Sequence, residues 1–274
     1  MKALYISDLD GTLLNSDQIL SQMTINTINK LVKNGVIFSY ATARSLITAS
    51  KVTAGLDAEI PVIVYNGAFI INNRTHEILL SNYFQADDVS YAKEILSKHG
   101  IYPIVYSYID GTEKFSWLTE HTNQGMDYFL DSRKYDIRLR PLSEREELYA
   151  GHPFYITCID DAKQLFPVYE LLKSDIRFNC IYQKDIYSGE QWFEILPAKA
   201  TKANAALQLK GLFDCDKIVS FGDGKNDISL FRISDECYAV ENAVTELKKI
   251  ATGIIGSNNN DGVAEFLIER YNKV

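Results

Sequence analysis

The stretch Ala3-Leu4-Tyr5-Ile6-Ser7-Asp8-Leu9-Asp10-Gly11-Thr12 decides the fold. Residues Ala3 to Ser7 are almost wholly apolar and stop at Asp and Gly, the pattern of a strand buried on both faces. Working outward, Met23, Ile25, Ile28, Leu31 and Val32 recur at helical intervals, and Gly35 supplies a stop just past the last of them. Val36 to Ala41 reads as a second strand, followed by Thr42-Ala43-Arg44 and a helix, and Pro61 to Tyr65 as a third strand. Regular alternation of strand and helix predicts an α/β protein with a doubly wound parallel sheet, helices on both faces.

The rhythm breaks near residue 80. From Tyr83 to Glu190 the pattern is a helix with Val89, Ala92, Ile95 and Leu96 on one side, then strands around an Asp110-Gly111 hairpin signal. Pro153 to Ile159 alternates like a strand, Ala162 to Lys173 reads as a helix and Arg177 to Tyr182 as a strand. Beyond this α+β insertion the first rhythm returns, with strand Trp192 to Leu196, helix Thr201 to Leu212, strand Lys217 to Phe221 and a glycine-rich turn. The predicted core is therefore split, residues 1–82 and 191–274, around an insertion at 83–190.

Composition narrows the partners. The 274 residues are 46% hydrophobic and 23% charged, as in ordinary globular chains. A formal charge of -8 argues against nucleic acid, which calls for clustered Lys and Arg. No apolar run approaches the ~18 residues of a membrane span, and the opening Met1-Lys2-Ala3-Leu4-Tyr5-Ile6-Ser7-Asp8 is too short an apolar stretch for a signal peptide, so a cytoplasmic protein without membrane contact is expected. The four cysteines are widely spaced and read as reduced filler, and the four scattered histidines offer no metal-ligand spacing.

Ligands of an open parallel sheet bind beyond the carboxyl ends of its strands. Three segments fall there: Asp8-Leu9-Asp10-Gly11-Thr12, Thr42-Ala43-Arg44 and Gly222-Asp223-Gly224-Lys225-Asn226-Asp227. If the strands share one sheet, Asp8, Asp10, Asp223 and Asp227 converge, and at ~4 Å in an effective dielectric near 20 each close pair would repel by about 4 kcal/mol. Such a cluster needs a cation. Oxygen donors with no His or Cys nearby favour Mg²⁺.

In order and spacing, Asp8-Leu9-Asp10-Gly11-Thr12-Leu13-Leu14, Ala41-Thr42-Ala43-Arg44, a lysine before a helix and Gly222 to Asp227 resemble the four motifs of the haloacid dehalogenase superfamily. Asn66-Gly67-Ala68, the large insertion and the tail Ser257-Asn258-Asn259-Asn260-Asp261-Gly262-Val263-Ala264 are similar to its Cof-like sugar-phosphatase branch. The resemblance implies a Rossmann-like core with an inserted α+β cap domain that closes over the site and excludes water. It implies a Mg²⁺-dependent phosphatase for a small phosphorylated metabolite, in which Asp8 is the nucleophile and Asp10 the acid and base. Metal would be held by Asp8, the Asp10 carbonyl oxygen and Asp223, with Asp227 ligating through water or orienting the shell. Thr42 would bond a phosphoryl oxygen, Asn226 would assist, and a lysine would balance the transition-state charge. Lys202 is chosen over Lys199 because the family lysine stands eight positions beyond a glutamate, here Glu194. Ala43 departs from the glycine usual in relatives, which leaves Arg44 open between facing substrate and pairing with an acid. Two further readings compete: a phosphomutase of the same superfamily, which releases little free phosphate, and a sensor that binds sugar phosphate without turnover.

Overall fold

A computed structural model describes residues 2–57, 60–184 and 189–272. The chain divides into two compact units, residues 1–81 with 200–274, and residues 82–199. The first unit begins with β1 (Ala3–Asp8), α1 (Gln22–Lys33), β2 (Ile37–Ala41), α2 (Leu46–Val52), β3 (Pro61–Val64), β4 (Phe69–Asn72) and β5 (Ile78–Ser81). The second holds α3 (Ala86–Lys98), β6 (Ile104–Ile109), β7 (Thr112–Leu118), α4 (Gln124–Asp131), β8 (Leu139–Leu142), β9 (His152–Asp160), α5 (Ala162–Leu172), β10 (Phe178–Lys184) and β11 (Gln191–Pro197). The first resumes with α6 (Lys202–Leu212), β12 (Lys217–Gly222), α7 (Ile228–Ile233), β13 (Glu236–Val240), α8 (Thr245–Lys248), β14 (Gly253–Ile255) and α9 (Gly262–Asn272).

The first unit is the predicted α/β fold. Its sheet runs β14-β13-β12-β1-β2-β3-β4-β5, parallel from β14 to β3 and antiparallel across β4 and β5. Alternation along β1 decides which helices cover which face: Leu4 and Ile6 pack with Ala205, Ala206 and Leu209 of α6 and Leu230 of α7. Tyr5 points the other way, toward Tyr271 of α9, and Phe221 and Tyr238 meet Phe266 of α9 on that face. Ser21 caps α1 by accepting from the Thr24 N–H at 3.0 Å, and Gly35 follows the helix at φ +86°.

The second unit is an α+β sheet in the order β10-β11-β9-β6-β7-β8, antiparallel except between β7 and β8. Ala92 and Leu96 of α3 and Leu165, Val168 and Leu172 of α5 cover one face, against Val105, Leu118, Ile156, Phe193 and Ile195. The Asp110-Gly111 turn joins β6 to β7 with φ +50° and +74°, the left-handed pair that a two-residue hairpin needs. The strand read at Trp192 to Leu196 is present, but β11 pairs antiparallel with β9 and β10 rather than joining the parallel sheet. Residues 193–197 are all buried, so the strand carries the near-continuous apolar signature of a parallel one. All four cysteines carry free thiols. No helix among the described residues is long and apolar enough to cross a membrane.

Candidate active site

Register brings the motifs together. In β1, Asp8 lies opposite Ala41 of β2, and Ser7 opposite Phe221 of β12, so Asp8, Thr42 and Asp223 leave three adjacent strands at the same edge. Carboxylate oxygens of Asp8, Asp223 and Asp227 lie within 4.8 Å of one another. Lys202, the first residue of α6 and only 2% exposed, reaches into this trio. Its Nζ donates to Asp8 Oδ1 at 2.5 Å and to Asp227 Oδ1 at 2.7 Å. The other Asp227 oxygen accepts from the backbone N–H groups of Asp223 and Gly224, each at 3.1 Å, and Thr12 Oγ1 donates to Asp223 Oδ1 at 3.1 Å.

Electrostatics follow from burial. Desolvation, reinforced by Asp227 and Asp223, pushes the Asp8 carboxyl well above its ordinary range although Lys202 pulls it down. Desolvation and Asp227 push Asp223 up to about 6. Burial alone would lower the Lys202 ammonium, but Asp227 and Asp8 override it and hold the group above its usual value. The Asp8 and Asp223 carboxylates also lie close enough that each raises the cost of ionising the other.

The remaining sequence-predicted residues are placed as follows. Asp10 is not in the carboxylate trio: its Oδ2 accepts from Arg44 Nε at 2.8 Å and its Oδ1 from Arg44 Nη2 at 2.5 Å. Arg44, which precedes the Ser45 cap of α2, thus pairs with an acid from the turn after β1. Thr42 is buried, and its Oγ1 accepts from the Arg44 N–H at 3.1 Å. Asn226 and Lys199 are exposed, and Lys199 lies in the second unit.

Sequence reasoning left several supporting residues without a role. Gly11 stands at φ +78°, and a Cβ there would fall on the Asp223 carboxylate. Gly67, at φ +101°, lies so close to the backbone of Thr201, the cap of α6, that a Cβ would strike its carbonyl. That contact sets where Lys202 starts. The turn carrying Asp10 is tied to the C-terminal segment: Asn242 Nδ2 donates to the Gly11 carbonyl at 2.7 Å and Asn258 Nδ2 to the Leu14 carbonyl at 2.9 Å. Asn259 Oδ1 accepts from the Ser16 N–H at 2.9 Å, and Asp261 Oδ1 from the Ser21 and Thr24 hydroxyls at 2.6 and 2.8 Å. The run Ser257 to Ala264 and the triplet Asn66-Gly67-Ala68 were visible as signals, but only the fold shows what they touch.

Comparison with known proteins agrees with this architecture. The chain is 28% identical over 286 residues to 5-amino-6-(5-phospho-D-ribitylamino)uracil phosphatase YwtE of Bacillus subtilis strain 168, with 97% of each chain covered. It is 23% identical over 269 residues to pyridoxal phosphate phosphatase YbhA of Escherichia coli strain K12, with 95% of each covered. A solved haloacid dehalogenase-like hydrolase from Bacteroides thetaiotaomicron shares the fold, with a TM-score of 0.77 at 22% identity over 98% of this chain and 100% of that one. The family model for haloacid dehalogenase-like hydrolases matches residues 5–267. With nearly the whole chain inside that match, the protein belongs to the haloacid dehalogenase-like hydrolases.

Proposed function

We propose that the chain is a Mg²⁺-dependent phosphatase that hydrolyses small phosphomonoesters, sugar phosphates among them, through an aspartyl phosphate on Asp8. The observation that carries this reading is the buried Asp8 carboxylate, bridged by Lys202 to Asp227 and crowded by Asp223. Two named relatives act on small phosphate esters, one a phosphorylated ribityl compound and the other pyridoxal phosphate.

The trio fits a hard divalent cation. Every donor is oxygen, Asp8 and Asp227 are buried and Asp223 half-buried, and three carboxylates meet the single ammonium of Lys202, which leaves negative charge unbalanced. Asp8, Asp223 and Asp227 would hold the ion, which when bound offsets negative charge on phosphate and nucleophile.

The chain's own residues do the rest. Lys202 fixes one oxygen of Asp8, orienting the carboxylate for in-line attack on phosphorus. As the new P–O bond forms, the ester P–O bond breaks and its oxygen takes a proton from Asp10. Asp10 then removes a proton from the water that attacks the aspartyl phosphate, so phosphate leaves and both aspartates return to their starting state. Thr42, at the next strand end, stands where a hydroxyl can bond a phosphoryl oxygen.

Phosphate release from a panel of sugar phosphates and pyridoxal phosphate, with Mg²⁺ present, tests the reading. Release is expected from at least one ester and is expected to fall to background in Asp8→Asn. No release from any ester, or full activity in that variant, overturns it.

A further inference from the structure

Gln18 holds a left-handed backbone at φ +59°, a conformation that non-glycine residues keep only where the surroundings over-determine it. A turn built on Asn15 enforces it. Asn15 Oδ1 accepts from the N–H groups of Asp17 and Ile19, each at 3.0 Å, while its carbonyl accepts from the Gln18 N–H at 2.9 Å. The turn aims Gln18 Oε1 at Arg44, whose Nη2 donates to it at 2.7 Å. The same Nη2 and the neighbouring Nε grip both oxygens of Asp10. Two parallel bonds from a planar fork fix the plane of a carboxyl group, which a single bond does not. Each oxygen keeps a second lone pair directed away from Arg44. With side chains 21% and 48% exposed, the Arg44–Asp10 pair falls in the range where ion pairs add little to fold stability. Orienting Asp10 is the use that remains for so constrained a chain of contacts.

We propose that Gln18 is a positioning residue which, by holding Arg44, aims the Asp10 carboxyl at the leaving oxygen. The inference rests on the reading of Asp10 as acid and base, so its test must separate that role from binding. An alkyl phosphate such as glycerol 2-phosphate needs its leaving oxygen protonated, whereas the stable anion of para-nitrophenyl phosphate departs without help. Because kcat/KM reports the barrier up to departure of the leaving group, the ratio of kcat/KM on the alkyl ester to that on the aryl ester isolates the proton transfer.

In Gln18→Gly, which suits the left-handed backbone but lacks the side chain, and in Gln18→Ala, this ratio is expected to fall on the order of tenfold. Asp10→Asn should lower it further, within the roughly 10²–10⁴-fold typical of a lost general acid. Gln18→Glu keeps an acceptor oxygen for Arg44 and should restore the ratio. An unchanged ratio in Gln18→Gly, with both esters slowed equally, overturns the proposal and leaves the aspartyl-phosphate reading standing. A wild-type protein that releases phosphate from neither of these esters nor any ester of the earlier panel overturns both.

Discussion

Lys202 is where the cost of the site is concentrated. A buried ammonium between Asp8 and Asp227 offsets charges that the low-dielectric interior penalises, and truncating one partner of such a group typically costs about 3–5 kcal/mol. Lys202→Met keeps most of the length and removes the charge. It is expected to lower the unfolding free energy by about that much in a urea titration and to abolish phosphate release. Lys199→Met, at an exposed position, should stay within about 0.5 kcal/mol of wild type. A Lys202→Met protein as stable as the parent would show that the carboxylates do not depend on this counter-charge. In the sequence, the resemblance to a family pattern with its lysine eight positions past a glutamate favoured Lys202 over Lys199, and Lys202 is the one that reaches the carboxylates. The Gln18–Arg44–Asp10 chain was not legible in the same way. It joins a turn to a different strand end across 26 positions, and nothing in the local pattern of Gln18 marks it.

At the scale of elements, β11 shows why an apolar run can mislead. The strand is buried on both faces, yet its partners are antiparallel, and the residue that breaks the apolar run is Glu194. Burial pushes the Glu194 carboxyl up to about 7, with a hydrogen bond from Tyr155 opposing the shift. The short strands β4 and β5 went unread: each spans four residues, too few for a period to show, and neither is buried throughout as the equally short β3 is. The sign of the Glu194 effect is fixed by linkage. Its folded value lies above the unfolded carboxyl value of about 4.3, so between those pH values the native state holds a proton that the unfolded state has lost. Stability therefore falls as pH rises from about 4 to 7, by on the order of 3 kcal/mol from this group. Glu194→Gln removes that slope. Its melting temperature relative to wild type should rise between pH 5 and pH 8, and a difference that stays flat, or falls, would show that the carboxyl is not held neutral in the fold.

The whole first unit exists only when distant segments pair. Ala3 of β1 lies beside Lys217 of β12, and the groups of the carboxylate site come from both sides of the second unit's sequence. Alternating elements made the sheet legible, and three acid- or Thr-bearing strand ends marked the edge where the carboxylates gather. Which carboxylates meet depended on register and on Gly11 and Gly67, neither of which a one-dimensional pattern contains. That register makes the proposed metal a folding ligand as well as a catalytic one. A cation at a hundredfold its dissociation constant adds about 2.7 kcal/mol to the state that binds it, or roughly 5–10 °C in melting temperature for a chain of this size. Protons compete for the same oxygens. Asp8 is raised by burial and by its acidic neighbours, and Asp223 is raised to about 6, so at pH 5.5 metal must displace a proton from Asp223 that is already lost at pH 8. Calorimetric scans with and without Mg²⁺ should therefore show a larger upward shift at pH 8 than at pH 5.5, and Asp223→Asn should reduce the shift at pH 8. A shift of equal size at both pH values would mean that Mg²⁺ binds somewhere other than these carboxylates, and no shift at either would remove the cation from the site altogether.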